Sequence, residues 1–187
     1  MTARLYIVAG PIGNFEDITL RALKVLRTVE IIAAEDTRQT GRLLAHHNIP
    51  AAGRMLSCHE HNEQQRTRQL LNLLHQGKSV ALVTDAGTPG ISDPGFRLIK
   101  AALAEKLAIT PVPGVSAAIT ALSVSGLPTD AFVFAGFPPR KKTGRKERLQ
   151  ALAVEPATLI FYESPRRIKN FLTELRAVMG DRQGVLC

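Results

Sequence analysis

Only two cysteines occur in this chain of 187 residues, Cys58 and Cys187, and they lie far apart. That count argues against a disulfide framework and points to free thiols in a reducing compartment. Long apolar runs are missing too: none approaches the roughly 20 residues that span a bilayer. Met1-Thr2-Ala3-Arg4 leads into an apolar strand with no signal-peptide core, so a cytoplasmic location is expected, with no membrane partner. Several functional signatures are absent. Gly10-Pro11-Ile12-Gly13 follows the first apolar run but matches neither G-x-G-x-x-G nor the Walker pattern, which disfavours an NAD or ATP site. Ser116, Ser123 and Ser125 have no G-x-S-x-G context, which disfavours a serine hydrolase. Cys58-His59-Glu60-His61 are four adjacent residues that cannot easily wrap one zinc ion, and no second ligand pair stands at finger-like spacing. No metal site is expected. Acidic residues are in short supply, 16 against 24 lysines and arginines.

What the chain does have is a 45% hydrophobic content, that of a globular protein, and a regular alternation of apolar segments. Strand-like runs at Leu5–Val8, Glu30–Ala34, Met55–Ser57, Ser79–Val83 and Ile109–Val112 alternate with segments of helical apolar spacing. One such helix is expected to carry Asp17 as its cap and Leu20, Leu23 and Leu26 on one face; others run over Glu63–His75, ended by Gly77, and from Gly95 to about Lys106. This pattern implies a mostly parallel sheet with helices on both faces. Pro111-Val112-Pro113-Gly114 breaks it, so the chain divides into residues 1–113 and 114–187, two α/β domains. In the second, helices are expected over Val115–Ser125, Gly144–Ala153 and Pro165–Met179, with strands at Ala131–Phe137, Thr158–Tyr162 and from Gly184. A domain that ends on a strand is expected to be incomplete.

Chemistry clusters where strands end. Asp85-Ala86-Gly87-Thr88-Pro89-Gly90-Ile91-Ser92-Asp93-Pro94-Gly95 packs glycines, prolines and two carboxylates directly behind a buried strand. Glycine lets backbone approach a ligand and proline holds it in one shape; the alternative is an ordinary strand-to-helix connection. Glu35-Asp36-Thr37-Arg38 and Tyr162-Glu163-Ser164-Pro165 repeat the arrangement, with helix capping as the plainer reading. His46 and His47 read as helix surface. Between Pro138 and Arg148 stand Arg140, Lys141, Lys142, Arg145, Lys146 and Arg148 against one anion, Glu147. The patch is either a solvated surface segment or a footprint for a polyanion.

Taken together, these motifs resemble the tetrapyrrole-methylase-like superfamily of S-adenosylmethionine-dependent methyltransferases, and within it the ribosomal RNA small subunit methyltransferase I family. The stretches that carry the resemblance are Leu5–Val8 with Pro11-Ile12-Gly13-Asn14, Ala34–Arg38, His59-Glu60-His61-Asn62-Glu63, Asp85–Gly95, Pro113–Ala117 and Phe161–Pro165. The resemblance implies two α/β domains with S-adenosylmethionine in the cleft between them, and 2′-O-methylation of a cytidine in 16S rRNA of the small ribosomal subunit by a homodimer. It implies cofactor contacts at Ala9, Pro11, Gly87, Thr88, Pro89, Ile91, Ser116, Ala117 and Tyr162. It also implies that the family continues beyond this chain, and it tips Arg140–Arg148 towards RNA. Gly10 departs from the threonine usual before Pro11. A ribose hydroxyl is a weak nucleophile, so a proton acceptor would help, and Asp36, Asp85 and His61 are the candidates. Two other readings stand beside this one: C-methylation of a tetrapyrrole, and a non-catalytic RNA-binding module.

Overall fold

A computed structural model describes residues 3–187. They form two compact units, one ending at Ala117 and one running Ala118–Cys187. Ser116 and Ala117, beyond the Pro111–Gly114 break, thus stay with the first unit.

The first unit is built on five parallel strands: β1 (Leu5–Val8), β2 (Ile31–Ala34), β3 (Met55–Ser57), β4 (Val80–Val83) and β5 (Ile109–Val112), in the order β3-β2-β4-β1-β5. Leu5 pairs with Val80 on one side and Ile109 on the other. Four helices connect them: α1 (Leu20–Thr28), α2 (Thr37–His46), α3 (Glu63–His75) and α4 (Phe96–Ala104). Strand side chains alternate between faces, so each strand feeds two cores. Val8, Ala81 and Val83 pack with Leu23, Leu26, Leu43 and Leu44 of α1 and α2. Leu5, Ile7, Val80 and Leu82 pack with Leu70, Leu74, Leu98 and Ala102 of α3 and α4. The near-continuous apolar strands are those of a sheet covered on both faces.

The order has one consequence for function. The chain leaves β1 towards α1 on one face and leaves adjacent β4 towards α4 on the other, so a crevice opens beyond their carboxyl ends. Gly10 and Gly87 close its floor by exchanging backbone hydrogen bonds, 2.8 Å from Gly10 N and 3.3 Å from Gly87 N.

The second unit holds α5 (Ala117–Val124, whose first residue belongs to the first unit), β6 (Phe132–Gly136), α6 (Lys142–Ala153), β7 (Thr158–Phe161) and α7 (Ile168–Met179). β6 and β7 are parallel, with an irregularity between Phe134 and Gly136. Leu149, Leu152 and Phe171 are buried, and the Phe161 and Phe171 rings meet edge-on at 5.4 Å.

Several expectations need correction. The cap of α1 is Thr19, whose Oγ1 accepts from Ala22 N at 3.1 Å, because Phe15–Asp17 is already occupied as a separate 3-10 turn. Leu20 is 85% exposed, and the buried face is Ala22, Leu23, Val25 and Leu26. Pro165 lies outside α7: the chain makes a turn from Ser164 to Arg167 first, and the helix begins at Ile168. Gly184–Cys187 pairs with no strand among the described residues. Both cysteines are free, Cys58 buried and Cys187 exposed.

The Gly/Pro loop is held from behind. Glu63, on α3 and buried, accepts hydrogen bonds from Gly95 N and Arg97 N, both at 3.0 Å. It satisfies orphan amides of α4, whose cap residue Gly95 has no side chain to do so. Gly95 itself sits at φ 133° with Leu82 Cδ2 only 2.8 Å from where a Cβ would be, so no larger residue fits there without displacement. Glu63→Ala, which leaves those amides unpaired, is expected to lower the unfolding free energy by about 2 kcal/mol in urea denaturation.

Candidate functional site

At the β1/β4 crevice the first unit has an open cleft of ≈ 450 Å³. Its walls are Pro11, Ile12, Gly13 and Phe15 from the loop after β1, Gln39, Thr40 and Leu43 from α2, and Thr84, Asp85 and Ala86 after β4. Asp85 of the predicted catalytic trio is therefore a wall residue. Asp36 and His61 are not. Asp36 caps α2: its Oδ1 accepts from Arg38 N at 2.8 Å, and its Oδ2 meets Arg38 Nη2 at 2.6 Å. Those bonds to Arg38 hold its carboxyl well below the usual carboxylate range and spend its lone pairs. His61 is exposed, at 6.0 Å ring distance from His59, in the turn ahead of α3.

The carboxylates at the ends of β2 and β4 form a chain of contacts. Asp36 N donates to Asp85 Oδ1 at 3.2 Å, and Asp85 N donates to Glu35 Oε2 at 3.2 Å. The carboxyls of Asp85 and Glu35 are both raised, chiefly by burial, with neighbouring negative charge adding to it. Asp93, at the far end of the loop, is pushed up to about 6 by burial first and then by the charges of Glu35 and Asp85. Charges held this close are stable only if some are protonated or if the rest of the fold overcomes their repulsion.

The residues expected at a cofactor divide by unit. In the first, Ala9 and Pro11 are buried in the turn after β1, and Gly87, Thr88, Pro89 and Ile91 form the turn after β4. Gly87 adopts φ 74°, and a Cβ there would stand 3.8 Å from Ile12 Cγ2. Ile91 is 54% exposed. A Cβ on Gly114 would lie 2.9 Å from that of Ala9, so this glycine lets the segment leading to Ser116 and Ala117 pass directly over the end of β1. Bare backbone, small side chains and one exposed apolar residue suit a donor with a nucleoside and an amino-acid end. In the second unit, Tyr162 packs edge-on against Phe134 and Phe137, at 5.0 and 5.5 Å, and its hydroxyl accepts from Ala118 N at 3.1 Å.

The basic segment is not uniform. Arg140, Lys141, Lys142, Lys146 and Arg148 are exposed. Arg145 turns inward: Nη2 and Nε reach Glu174 at 2.8 and 2.5 Å, and Nη1 donates to the carbonyls of Pro139 and Arg140 at 3.2 and 3.0 Å. It ties α6 to α7.

The sequence profile of the tetrapyrrole (corrin/porphyrin) methylases matches residues 4–187. The chain belongs to this family. It is 49% identical over 183 residues to ribosomal RNA small subunit methyltransferase I of Halalkalibacterium halodurans, covering 98% of this chain and 63% of that protein. It is 51% identical over 183 residues to the protein of the same name from Escherichia coli O157:H7, again 98% and 63%. The chain thus spans less than two thirds of the length of these relatives. In fold it resembles the native form of uroporphyrin III C-methyl transferase from Thermus thermophilus, with a TM-score of 0.68, 22% identity, and coverage of 96% of this chain and 78% of that one. Among the described residues no helix is long and apolar enough to cross a membrane, and no group of histidine, cysteine, aspartate and glutamate is arranged to hold a metal ion.

Of the cavity walls, the sequence singled out Ile12 only within Pro11–Asn14 and did not single out Phe15, Gln39, Thr40 and Leu43. The last three could have been found from the helical spacing that follows Asp36, which brings positions three and four apart onto one face. The raised Asp93 carboxyl has a thermodynamic consequence. Its folded value of about 6 exceeds the ordinary 3.8, so its protonation favours the folded state below the lower value and that contribution is lost as pH rises through the upper. Asp93→Asn is therefore expected to raise the thermal midpoint at pH 7.5, with the gain vanishing by pH 4; melting curves at the two pH values check it.

Proposed function

We propose that this methylase transfers a methyl group from S-adenosylmethionine to the 2′-hydroxyl of a cytidine ribose in 16S rRNA, acting on the small ribosomal subunit. The observation that carries the reading is the near half identity, along almost the whole chain, to proteins named ribosomal RNA small subunit methyltransferase I. The geometry favours it in two ways: a carboxylate-walled cavity stands at the crevice of a parallel sheet, and five exposed cations stand in one short segment.

The donor supplies a methyl carbon already activated on a sulfonium, so the protein's work is alignment and proton handling. Ala9, Pro11, Gly87, Thr88, Pro89, Ile91, Ser116 and Ala117 of the first unit would hold the donor by backbone and small side chains. Asp85 is the proton acceptor for the ribose hydroxyl. It lines the cavity and forms no salt bridge among the described residues, whereas Asp36 is spent on Arg38. Its raised pKa brings it closer to that of a working base. Exposed Arg140, Lys141, Lys142, Lys146 and Arg148 would track RNA phosphates, while Arg145 holds the helix that displays them. A cytoplasmic homodimer completes the reading.

Asp85→Asn is expected to reduce methyl transfer to RNA by roughly a hundredfold or more while leaving S-adenosylmethionine affinity by calorimetry unchanged. Activity of the parent should fall as pH drops through the raised Asp85 value. A variant that transfers methyl at the parent rate removes Asp85 from the role, and a parent that binds no S-adenosylmethionine removes the reading.

Charge reversal of both Lys141 and Lys142 should weaken RNA binding with donor affinity intact. If four or five cations contact phosphates of a single strand, the log–log salt slope of the parent should lie near −3, from roughly −0.7 per contact. A tetrapyrrole C-methylase would show neither the slope nor RNA-dependent methyl acceptance.

A further inference from the structure

Phe137 is a large apolar side chain left 54% exposed, and it stands where the second unit gathers its positive charge. It follows β6 directly, as Tyr162 follows β7, and because those strands are parallel both rings sit at the same end of the pair. Along a regular strand, residues three apart point to opposite faces. Phe134 and Phe137 nevertheless both meet Tyr162, edge-on at 5.0 and 5.5 Å. The register irregularity between Phe134 and Gly136, with Gly136 at φ 62°, breaks the alternation and re-aims the later ring. Tyr162 is itself pinned, its hydroxyl accepting from Ala118 N at 3.1 Å. Phe137 is thus braced on one side and open to solvent over the rest.

The charge at this end comes from two elements. Helix α6 follows β6 and α7 follows β7, so both helices begin at the end that carries Phe137. Exposed Arg140, Lys141 and Lys142 lead into α6, and exposed Arg166 and Lys169 stand at the start of α7. Two acids of the same unit are already taken, Glu163 by Arg167 and Glu174 by Arg145, each at 2.5 Å. Arg140, Lys141, Lys142, Arg166 and Lys169 form no salt bridge among the described residues. A single exposed apolar residue is ordinary. A braced aromatic face among unpaired cations is the combination by which proteins hold unpaired nucleic acid, with phosphates on the charges and a base on the ring.

We infer that Phe137 is a base-stacking platform for unpaired RNA, flanked by phosphate contacts from Arg140, Lys141 and Lys142 at the start of α6 and from Arg166 and Lys169 at the start of α7. The inference deepens the proposed function and rests on it for RNA being the polyanion. It adds a ring and a second helix to a footprint otherwise confined to residues 140–148. Stacking tolerates any base, so this site holds the strand and leaves the choice of nucleotide to other residues.

The chain contains no tryptophan, so Phe137→Trp introduces a single indole reporter. Its emission is expected to be quenched as an unpaired RNA of about ten nucleotides binds, and to be left unchanged by inorganic polyphosphate, which carries charge without bases. Phe137→Ala is expected to weaken that RNA about tenfold by fluorescence anisotropy, with the log–log salt slope unchanged because no phosphate contact is lost. Arg166→Ala combined with Lys169→Ala should make the slope shallower by about 1.4, at roughly 0.7 per contact, while the quenching persists at saturation. RNA that binds with the parent slope but leaves the indole emission untouched, or a Phe137→Ala variant at parent affinity, overturns the inference and leaves the proposed function standing. Quenching by polyphosphate to the same depth does so too. Emission that changes when the protein alone is diluted would show a second copy covering the ring, and also overturns the inference. A parent that binds no RNA removes the proposed function at its substrate, and the platform with it.

Discussion

Two adjacent parallel strands whose helices depart to opposite faces leave an opening that neither helix can cover. Everything of functional interest in the first unit follows from that constraint on β1 and β4. The opening needs a floor, which the paired backbones of Gly10 and Gly87 provide at 2.8 and 3.3 Å. It needs walls, and the loop after β1, helix α2 and the start of the loop after β4 supply them. The strands themselves are fixed by ordinary forces: alternate side chains fill two apolar layers, one against α1 and α2 and the other against α3 and α4. The chemistry is an exposed rim on a scaffold that hydrophobic burial makes rigid.

Polar strain is concentrated on that rim. The carboxyls of Glu35, Asp85 and Asp93 are all raised, by burial first and by neighbouring negative charge after it, and of these strand-end acids Asp36 is the one that forms a salt bridge among the described residues, with Arg38. A protein selected for stability alone would not gather them; natural chains tolerate such local conflict where a site requires it. Thr40 belongs to the same pattern, since a buried hydroxyl without a partner is a small standing cost at the wall of a cavity. Arg145, by contrast, shows a charge used for architecture, bonded to Glu174 and two carbonyls within a segment whose other cations face water.

Much of this was legible in the order of residues. All five strands of the first unit could be read because each is an apolar run bounded by turn residues, and the carboxyl-end loops could be singled out because glycine, proline and acid coincide there. The second unit was read less well at its borders. Pro165 suits a first helical turn by its fixed φ, yet hydrogen bonds from Arg167 N and Ile168 N back to Ser164 O make a separate turn ahead of α7. Leu20 fits a helical apolar period but falls on the outer face, since the period says which residues share a side and not where that side ends. The cavity was invisible because its walls come from three loops and helices that only the folded sheet assembles. Arg145 could not be told from its neighbours, because its partner Glu174 is remote in sequence.

The carboxylate of Glu63 carries a consequence beyond its bonds. It sits on α3 and grips the amides of Gly95 and Arg97, so the posture of the Gly/Pro loop is dictated by the neighbouring helix of the layer that the loop runs into. The loop's far end is thereby anchored to a helix that precedes its own strand in the chain. Inheritance can then adjust the loop's set by altering α3 while every residue of the loop itself stays unchanged, a remote screw on its posture.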